Sequence, residues 1–317
     1  MDYIILSYHL LMPMILLVAL GYFLKKKAII TDQYENVSSK LVFNLALPVT
    51  MFSTTARANM RVSITGEVWF FITVTSIMLI CLGLIAHLVS VFLIKEKRTR
   101  GAFVQGAFRS NFVIIGYPIL MSLFGEEVIL PMTLVTVFLI PIVNVISVIV
   151  LTINNPDIQE IDYKKIAANI IKNPLILSIL FGIVFSLMEI RIPVVIESTF
   201  ASIRGLTTPL ALINIGSMFV FSIQMKDKMI QLVCLFLKSF LYPLGCTTIG
   251  ILLGFRDQYL AVLFIAIAAP SPPSGYVMSK LMHSDEVFSA NNIVLSTVLS
   301  GFTIFIGITT MKYFGLI

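Results

Sequence analysis

Two cations and one asparagine stand where an apolar sequence least accommodates them. Lys238 lies within "VCLFLKSFLYPLG". Arg109 and Asn111 lie within "AFRSNFVIIGY". A charge at membrane depth is costly, and such residues mark a functional site by default. Other roles are open for each. Lys238 could brace a neighbouring helix by donating to carbonyls, or act on an anion directly. Arg109 could snorkel to the interface, cap a helix end or support a site. Asn111 could cap a helix, since asparagine favours such ends.

A second stretch, "FIAIAAPSPPSGYVMSKL" (Phe264–Leu281), carries Pro270, Pro272 and Pro273 and then Gly275 between two apolar flanks. Each proline removes a backbone donor and costs about 3 kcal/mol inside a helix. The helix is therefore expected to stop and restart over Pro270–Gly275. A matching break is expected over Asn111–Pro118, which contains Gly116. Ser271, Ser274 and Tyr276 would either hydrogen-bond a substrate or satisfy the freed backbone. In the second apolar run, Asn44 stands four residues before Pro48 and is read as a partner for carbonyls that the proline frees. Pro209 marks a similar kink further on.

The rest of the chemistry is defined by what is missing. All sixteen Asp and Glu fall in loops or near the ends of apolar runs. A cation carrier usually holds a carboxylate at membrane depth, so an anion is the expected cargo. Neither the three histidines nor the three cysteines have metal or disulfide spacing. No metalloprotease, phosphate-loop or nucleophile-elbow motif is present where it could act, so an enzyme is not expected. No resident cofactor is expected either, and the coupling ion, proton or sodium, is left open.

These residues need long apolar elements to hold them. The 317 residues are 58% hydrophobic and 12% charged, against about 25% charged in soluble domains. The chain reads as an all-α membrane protein. The net charge of +6 requires no nucleic-acid partner, because cytoplasmic loops are rich in Lys and Arg. The first run is not expected to be a cleaved signal, because its lysines follow the apolar stretch. At about 20 residues per span, ten transmembrane helices are expected: 4–24, 36–56, 67–94, 101–124, 127–152, 167–188, 194–222, 228–254, 257–282 and 286–312.

The loops alternate in charge. One set collects fourteen of the 22 Lys and Arg, among them Lys25, Lys97, Arg98 and Lys280. The other collects six, and Arg109 and Lys238 remain inside. The first set is therefore cytoplasmic, and both termini are extracytoplasmic. Pro13, Gly21 and Pro48 recur as Pro174, Gly182 and Pro209 at an offset of 161, and "NFVIIGY" recurs as "PSPPSGY" at 159. Two five-helix repeats follow. Because five is odd, they must be inverted, with helices four and nine broken and crossing near the midplane, where such folds bind their cargo.

"LVFNLALPVTMFSTTA", "AFRSNFVIIGYPILMSLFG", "NPLILSILFGIVFS", "LTTPLALINIGSMF" and "LKSFLYPLG" occur in order along nearly the whole chain. This set resembles the auxin efflux carrier family, including bacterial members described as malate or malonate permeases. The resemblance implies a scaffold built from residues 1–62 and 154–225, which often forms a homodimer. It also implies a mobile transport domain built from residues 63–153 and 226–317, and an elevator-type secondary transporter of small organic anions in the cytoplasmic membrane. Asn111 matches an asparagine that binds the carboxylate in plant members. In the second break, Pro270 and Ser271 stand where those members carry the partner asparagine. A sodium-coupled symporter of the bile-acid type is the alternative within the same class. A non-transporting receptor or channel is the alternative outside it.

Overall fold

Proline sets where the helices of this chain widen. The computed structural model describes residues 2–57, 66–128, 131–132, 135–156, 172, 174–218 and 225–317. Helix α1 is Asp2–Lys26. Helix α2 runs over 32–56, as Asp32–Leu41, a wide π-helical turn Val42–Ala46, and Leu47–Ala56. Helix α3 is Gly66–Leu93 and α4 is Lys97–Phe108. Helix α5 joins the wide turn Phe112–Gly116 to Tyr117–Phe124, and α6 joins Val135–Leu139 to Ile140–Ile153. Helix α7 is Pro174–Leu187 and α8 is Val194–Met218. Helix α9 joins Met225–Phe236, the wide turn Leu237–Leu241 and Tyr242–Leu252. Then follow α10 (Asp257–Ala268), α11 (Ser274–Leu281) and α12 (Glu286–Tyr313).

Among the described residues each of the four wide turns is followed, two residues after its end, by a proline: Pro48, Pro118, Pro141 and Pro243. A proline ring clashes with the carbonyl four residues earlier. Widening the turn by one residue relieves that clash without ending the helix. In α9 the carbonyl so released, that of Ser239, accepts from Thr303 Oγ1 of α12 at 2.8 Å. In α2 the amide of Asn44 donates to the carbonyl of Lys40 at 3.1 Å, one turn back. Pro209 sits inside α8 with no wide turn around it.

The regular structure of the described residues is helical, without strands. Helices Gly66–Leu93, Lys228–Leu252 and Glu286–Tyr313 are long and apolar enough to cross a bilayer. Phe92, Val194 and Leu252 are 86, 82 and 80% exposed. Bulky apolar groups turned outward in such numbers belong against lipid. The described helix ends lie close to the expected span limits, as in 286–312 against Glu286–Tyr313. The start of the expected sixth span, and the loop before it, lie outside the described residues.

Glycine sets two of the closest helix contacts. A Cβ on Gly21 of α1 would stand 2.1 Å from the carbonyl oxygen of Ile213 in α8, and one on Gly182 of α7 would stand 2.9 Å from that of Phe52 in α2. Within α1 and α8 the fit is reciprocal: a Cβ on Gly216 would lie 1.9 Å from the carbonyl of Val18. Small residues let helix backbones approach this closely in membranes. Gly216→Ala should therefore push α1 off α8 and lower the melting temperature by several degrees. Gly205→Ala on the same helix, with open space around it, should not. Differential scanning fluorimetry of both variants checks this.

The two breaks are shorter than expected and shifted towards the N-terminus. The first is Arg109–Asn111, since Phe112–Gly116 is already helical. Gly116 and Pro118 therefore belong to α5 and not to the gap. A Cβ on Gly116 would lie 3.0 Å from Ile265, so this glycine seats α5 on α10. The second break is 269–273. It holds Pro270, Pro272 and Pro273, while Gly275 falls in the first turn of α11. Proline widened the turn ahead of Pro118 but did not interrupt the helix there. What stops α4 is the extended backbone at Arg109, with φ −71° and ψ 148°.

Among the described residues one acid is buried. Glu35, in the first turn of α2, is 1% exposed. It accepts from Tyr276 Oη of α11 at 2.7 Å and from Lys280 Nζ, with Lys25 Nζ at 3.7 Å. These contacts tie α11 to the start of α2 and the end of α1.

Candidate functional site

The breaks meet. The Asn111 N–H donates to the carbonyl of Pro270 at 2.7 Å, and Ser271 Oγ donates to the carbonyl of Gly106 at 2.8 Å. The return bond from residue 270 to Asn111 cannot form, because proline has no N–H. Four half-helix ends thus converge, and the starts of α5 and α11 turn partial positive charge toward the gap.

Arg109 organises the gap and is 3% exposed. Its Nη1 donates to Gln105 Oε1 at 3.2 Å and to Met278 Sδ at 2.8 Å. Its Nη2 donates to Asn144 Oδ1 and Ser274 Oγ, both at 3.0 Å. Every one of these acceptors is neutral, so the guanidinium is held in place but its charge is not balanced. Three buried polar groups beside it have no partner: Arg109 Nε, Ser110 Oγ and Asn111 Nδ2. They belong to three consecutive residues, which are the whole of the first break. Buried polar groups are almost always satisfied, so such a cluster needs an explanation.

All three residues line a cavity of about 190 Å³. It is lined by Leu47, Thr50 and Met51 of α2, Thr207 and Thr208 of α8, residues of the two breaks, α5 and α6, and Ala266 of α10. Thr50 and Thr207 touch through their hydroxyls at 3.2 Å. Arg109 is the one charged residue among the described lining residues. An empty apolar cavity of about 150 Å³ can take up benzene, so this one has room for a small organic molecule.

The expected site residues separate on this geometry. Asn111 and Ser274 line the cavity, together with Pro272 and Pro273. Ser271 faces a smaller adjacent hollow and is held by Gly106, Asn292 Nδ2 at 3.1 Å and Ser296 Oγ at 3.2 Å. Tyr276 faces Glu35, away from the cavity. Lys238 is 1% exposed and donates to the carbonyl of Ile267 at 2.7 Å, in the last turn of α10 before the break. A cation at a helix C-terminus meets the negative end of the helix dipole. Lys238 is not among the residues lining the cavity.

Three contributors escaped the sequence reading. Asn144 of α6 is 4% exposed, accepts from Arg109 and donates to the carbonyl of Ile140 at 2.9 Å. Gln105 spans Arg109 and α11, donating to the carbonyl of Gly275 at 2.9 Å. Ser110 adds one of the unpartnered groups. The signal was present for Asn144, a lone amide within "PIVNVISV". Nothing in the sequence connects it to Arg109, 35 residues away.

The comparisons with known proteins agree with a membrane carrier. The family profile described as membrane transport protein matches residues 6–308. The chain is 26% identical over 287 residues to the uncharacterized transporter YfdV of Escherichia coli strain K12, covering 85% of this chain and 86% of that one. It is 23% identical over 296 residues to an uncharacterized transporter of Methanothermobacter thermautotrophicus, covering 93% and 95%. A shorter match of 117 residues, 29% identical, covers 36% of this chain and 37% of the uncharacterized transporter MJ1031 of Methanocaldococcus jannaschii. With the family profile running over almost its whole length, the chain belongs to the membrane transport proteins of the auxin efflux carrier family.

Proposed function

We propose that this protein is a secondary transporter of small organic anions across the cytoplasmic membrane, with the anion held where the two breaks meet. One observation carries the reading. Three consecutive residues, Arg109, Ser110 and Asn111, each carry a buried polar group without a partner, and all three line a cavity whose one described charge is a guanidinium. A carboxylate satisfies those groups and neutralises that charge. A cation would meet the guanidinium with no acid among the described lining residues to offset it.

The architecture in this reading is ten spans in two inverted repeats, with both termini outside. Two pairs of contacts support it. Gly21 lies against Ile213 and Gly182 against Phe52, and both members of the second pair are shifted by 161 from those of the first. Asn111 bonds Pro270, its own counterpart at 159, as residues facing each other across a two-fold axis do. The cavity is lined both by residues of α2 and α8 and by residues of the breaks. That supports an elevator in which residues 63–153 and 226–317 carry the anion past a scaffold of 1–62 and 154–225, paired as a homodimer through the scaffold helices. In a cysteine-free background, a cysteine at Lys97 should react only with reagents that reach the cytoplasm, and one at Arg256 only from outside. Labelling of both from one side would sink the inverted topology.

Purified protein in liposomes should show saturable carboxylate uptake, with one carboxylate competing against another and accelerating exchange of a preloaded one. A channel would show neither saturation nor exchange. Asn111→Ala should weaken uptake by about tenfold to a hundredfold, the loss expected when a carboxylate gives up one good donor worth about 1.5–3 kcal/mol. Its melting temperature should be nearly unchanged, because Asn111 Nδ2 has no protein partner to lose. Normal affinity in Asn111→Ala would put the site elsewhere.

A further inference from the structure

We infer that Glu35, Tyr276 and Lys280 form a releasable latch between the two sets of helices, which fastens the moving part in the state seen here and must open before cargo is carried. This rests on the elevator reading above and goes beyond it. The membership of the residues comes first. Glu35 belongs to the scaffold set, at the start of α2, whereas Tyr276 and Lys280 belong to the transport set, on α11. One carboxylate oxygen, Oε1, accepts from Tyr276 Oη at 2.7 Å and also from Lys280 Nζ. Other polar contacts join residues of a single set. Ser38 Oγ donates to Asn214 Oδ1 at 3.0 Å inside the scaffold set, and Thr99 Oγ1 donates to Asp285 Oδ2 at 2.9 Å inside the transport set. Such contacts travel with their set, while those of Glu35 to α11 must break if the sets slide.

Burial gives the latch its strength. Glu35 is 1% exposed and the side chain of Lys280 10%. A buried ion pair is screened little by salt, and a carboxylate parted from its donors in such a place is costly. Lys25 of α1 keeps release within reach. Its Nζ lies 3.7 Å from the other oxygen, Oε2. Lys25 belongs to the scaffold set and stays with Glu35, so the acid retains one cation after α11 departs.

The matching acid in the second repeat is held differently. Glu35 is the fourth residue of α2, which starts at Asp32, and Glu197 is the fourth residue of α8, which starts at Val194. Their spacing is one residue from the repeat offset of 161. Glu197 accepts from Arg204 at 3.1 Å and pairs with Arg57, and both arginines belong to the scaffold set. One acid thus bonds across the two sets while its counterpart is satisfied within one, so the two ends of the fold are not equivalent.

The test is double electron–electron resonance on the full-length protein in nanodiscs. Cys81, Cys234 and Cys246 are replaced, and spin labels are placed at Glu67 of the transport set and Val194 of the scaffold set, both exposed. Glu35→Gln, Tyr276→Phe and Lys280→Met should each raise the ratio of a second distance to the parent's main one by about tenfold, the factor lost with one charge-assisted hydrogen bond. Lys25→Met is the control. It removes an ammonium from beside the same carboxylate, but one that moves with it, so the second distance should not grow. A rise in Lys25→Met equal to that in Lys280→Met would overturn the latch, because the effect would then follow local charge and not the crossing contact. So would two distances in the parent whose ratio is the same in every variant, an outcome that leaves the elevator reading standing. One unchanging distance in all samples, with and without malonate, would overturn both.

Discussion

Replacing Arg109 by methionine should lower the affinity for a carboxylate by about two to three orders of magnitude, since removing one partner of a buried charge pair typically costs 3–5 kcal/mol. The unliganded protein should melt within a few degrees of the parent. The two effects separate because the guanidinium has two kinds of relationship. Toward the protein it donates to neutral acceptors only, on Gln105, Met278, Asn144 and Ser274. Losing those bonds is offset in part by no longer burying a cation, and an apolar side chain of similar length in place of a buried charge is often neutral for stability. Toward the ligand it supplies the one positive charge among the described lining residues, and nothing replaces it.

Arg109→Lys keeps the charge but not the fork. An ammonium cannot reach Asn144, Ser274 and Gln105 together while leaving a donor aimed along the break. It should retain partial binding, between the parent and Arg109→Met. Ligand-induced stabilisation reads both variants, because a ligand that binds only the folded state raises its melting temperature in proportion to occupancy. Full carboxylate-induced stabilisation in Arg109→Met would overturn the role given to this residue.

The second large effect is expected at Lys238 and has the opposite signature. Lys238→Ala should lower the melting temperature by many degrees while leaving the carboxylate shift intact. The ammonium ties α9 to the end of α10 through the carbonyl of Ile267. Truncation removes a charge-assisted bond worth about 1.5–3 kcal/mol. It also opens a void of the kind that costs about 2–5 kcal/mol when a buried Leu, Ile or Met becomes Ala. Lys238→Met fills the void and loses only the bond, so it should fall between parent and alanine. If instead Lys238→Ala melts normally and loses the carboxylate shift, Lys238 is a ligand contact and not a brace.

Much of this was legible in the residues alone, for identifiable reasons. Hydropathy over windows of about 20 residues reports whether a helix can sit in lipid, which is a local property. The expected limits of runs such as 286–312 therefore lie close to the described Glu286–Tyr313. The clustered prolines of 270–273 located the second break, because proline acts on its own backbone and the turn before it. The first break was placed too late. Gly116 and Pro118 drew the reading toward them, whereas a single proline is absorbed by a wide turn, as at Pro48, Pro141 and Pro243. The stop at Arg109–Asn111 has no proline of its own, and its backbone is held instead by the opposite break, through Pro270 and Ser271.

The site itself belonged to tertiary structure. Sequence identified Arg109, Asn111 and Lys238 as deep polar residues because burying a charge or an amide is costly wherever it happens. It could not say which of them shares a cavity. That depends on direction: Lys238 turns to Ile267, Tyr276 turns to Glu35, and Arg109 turns to Asn144 and Ser274. The partners lie 29, 241, 35 and 165 residues away. Residue type alone settled that these groups need partners. Only the packing of α4, α6, α9 and α11 decided which partners they have, and which donors are left without one.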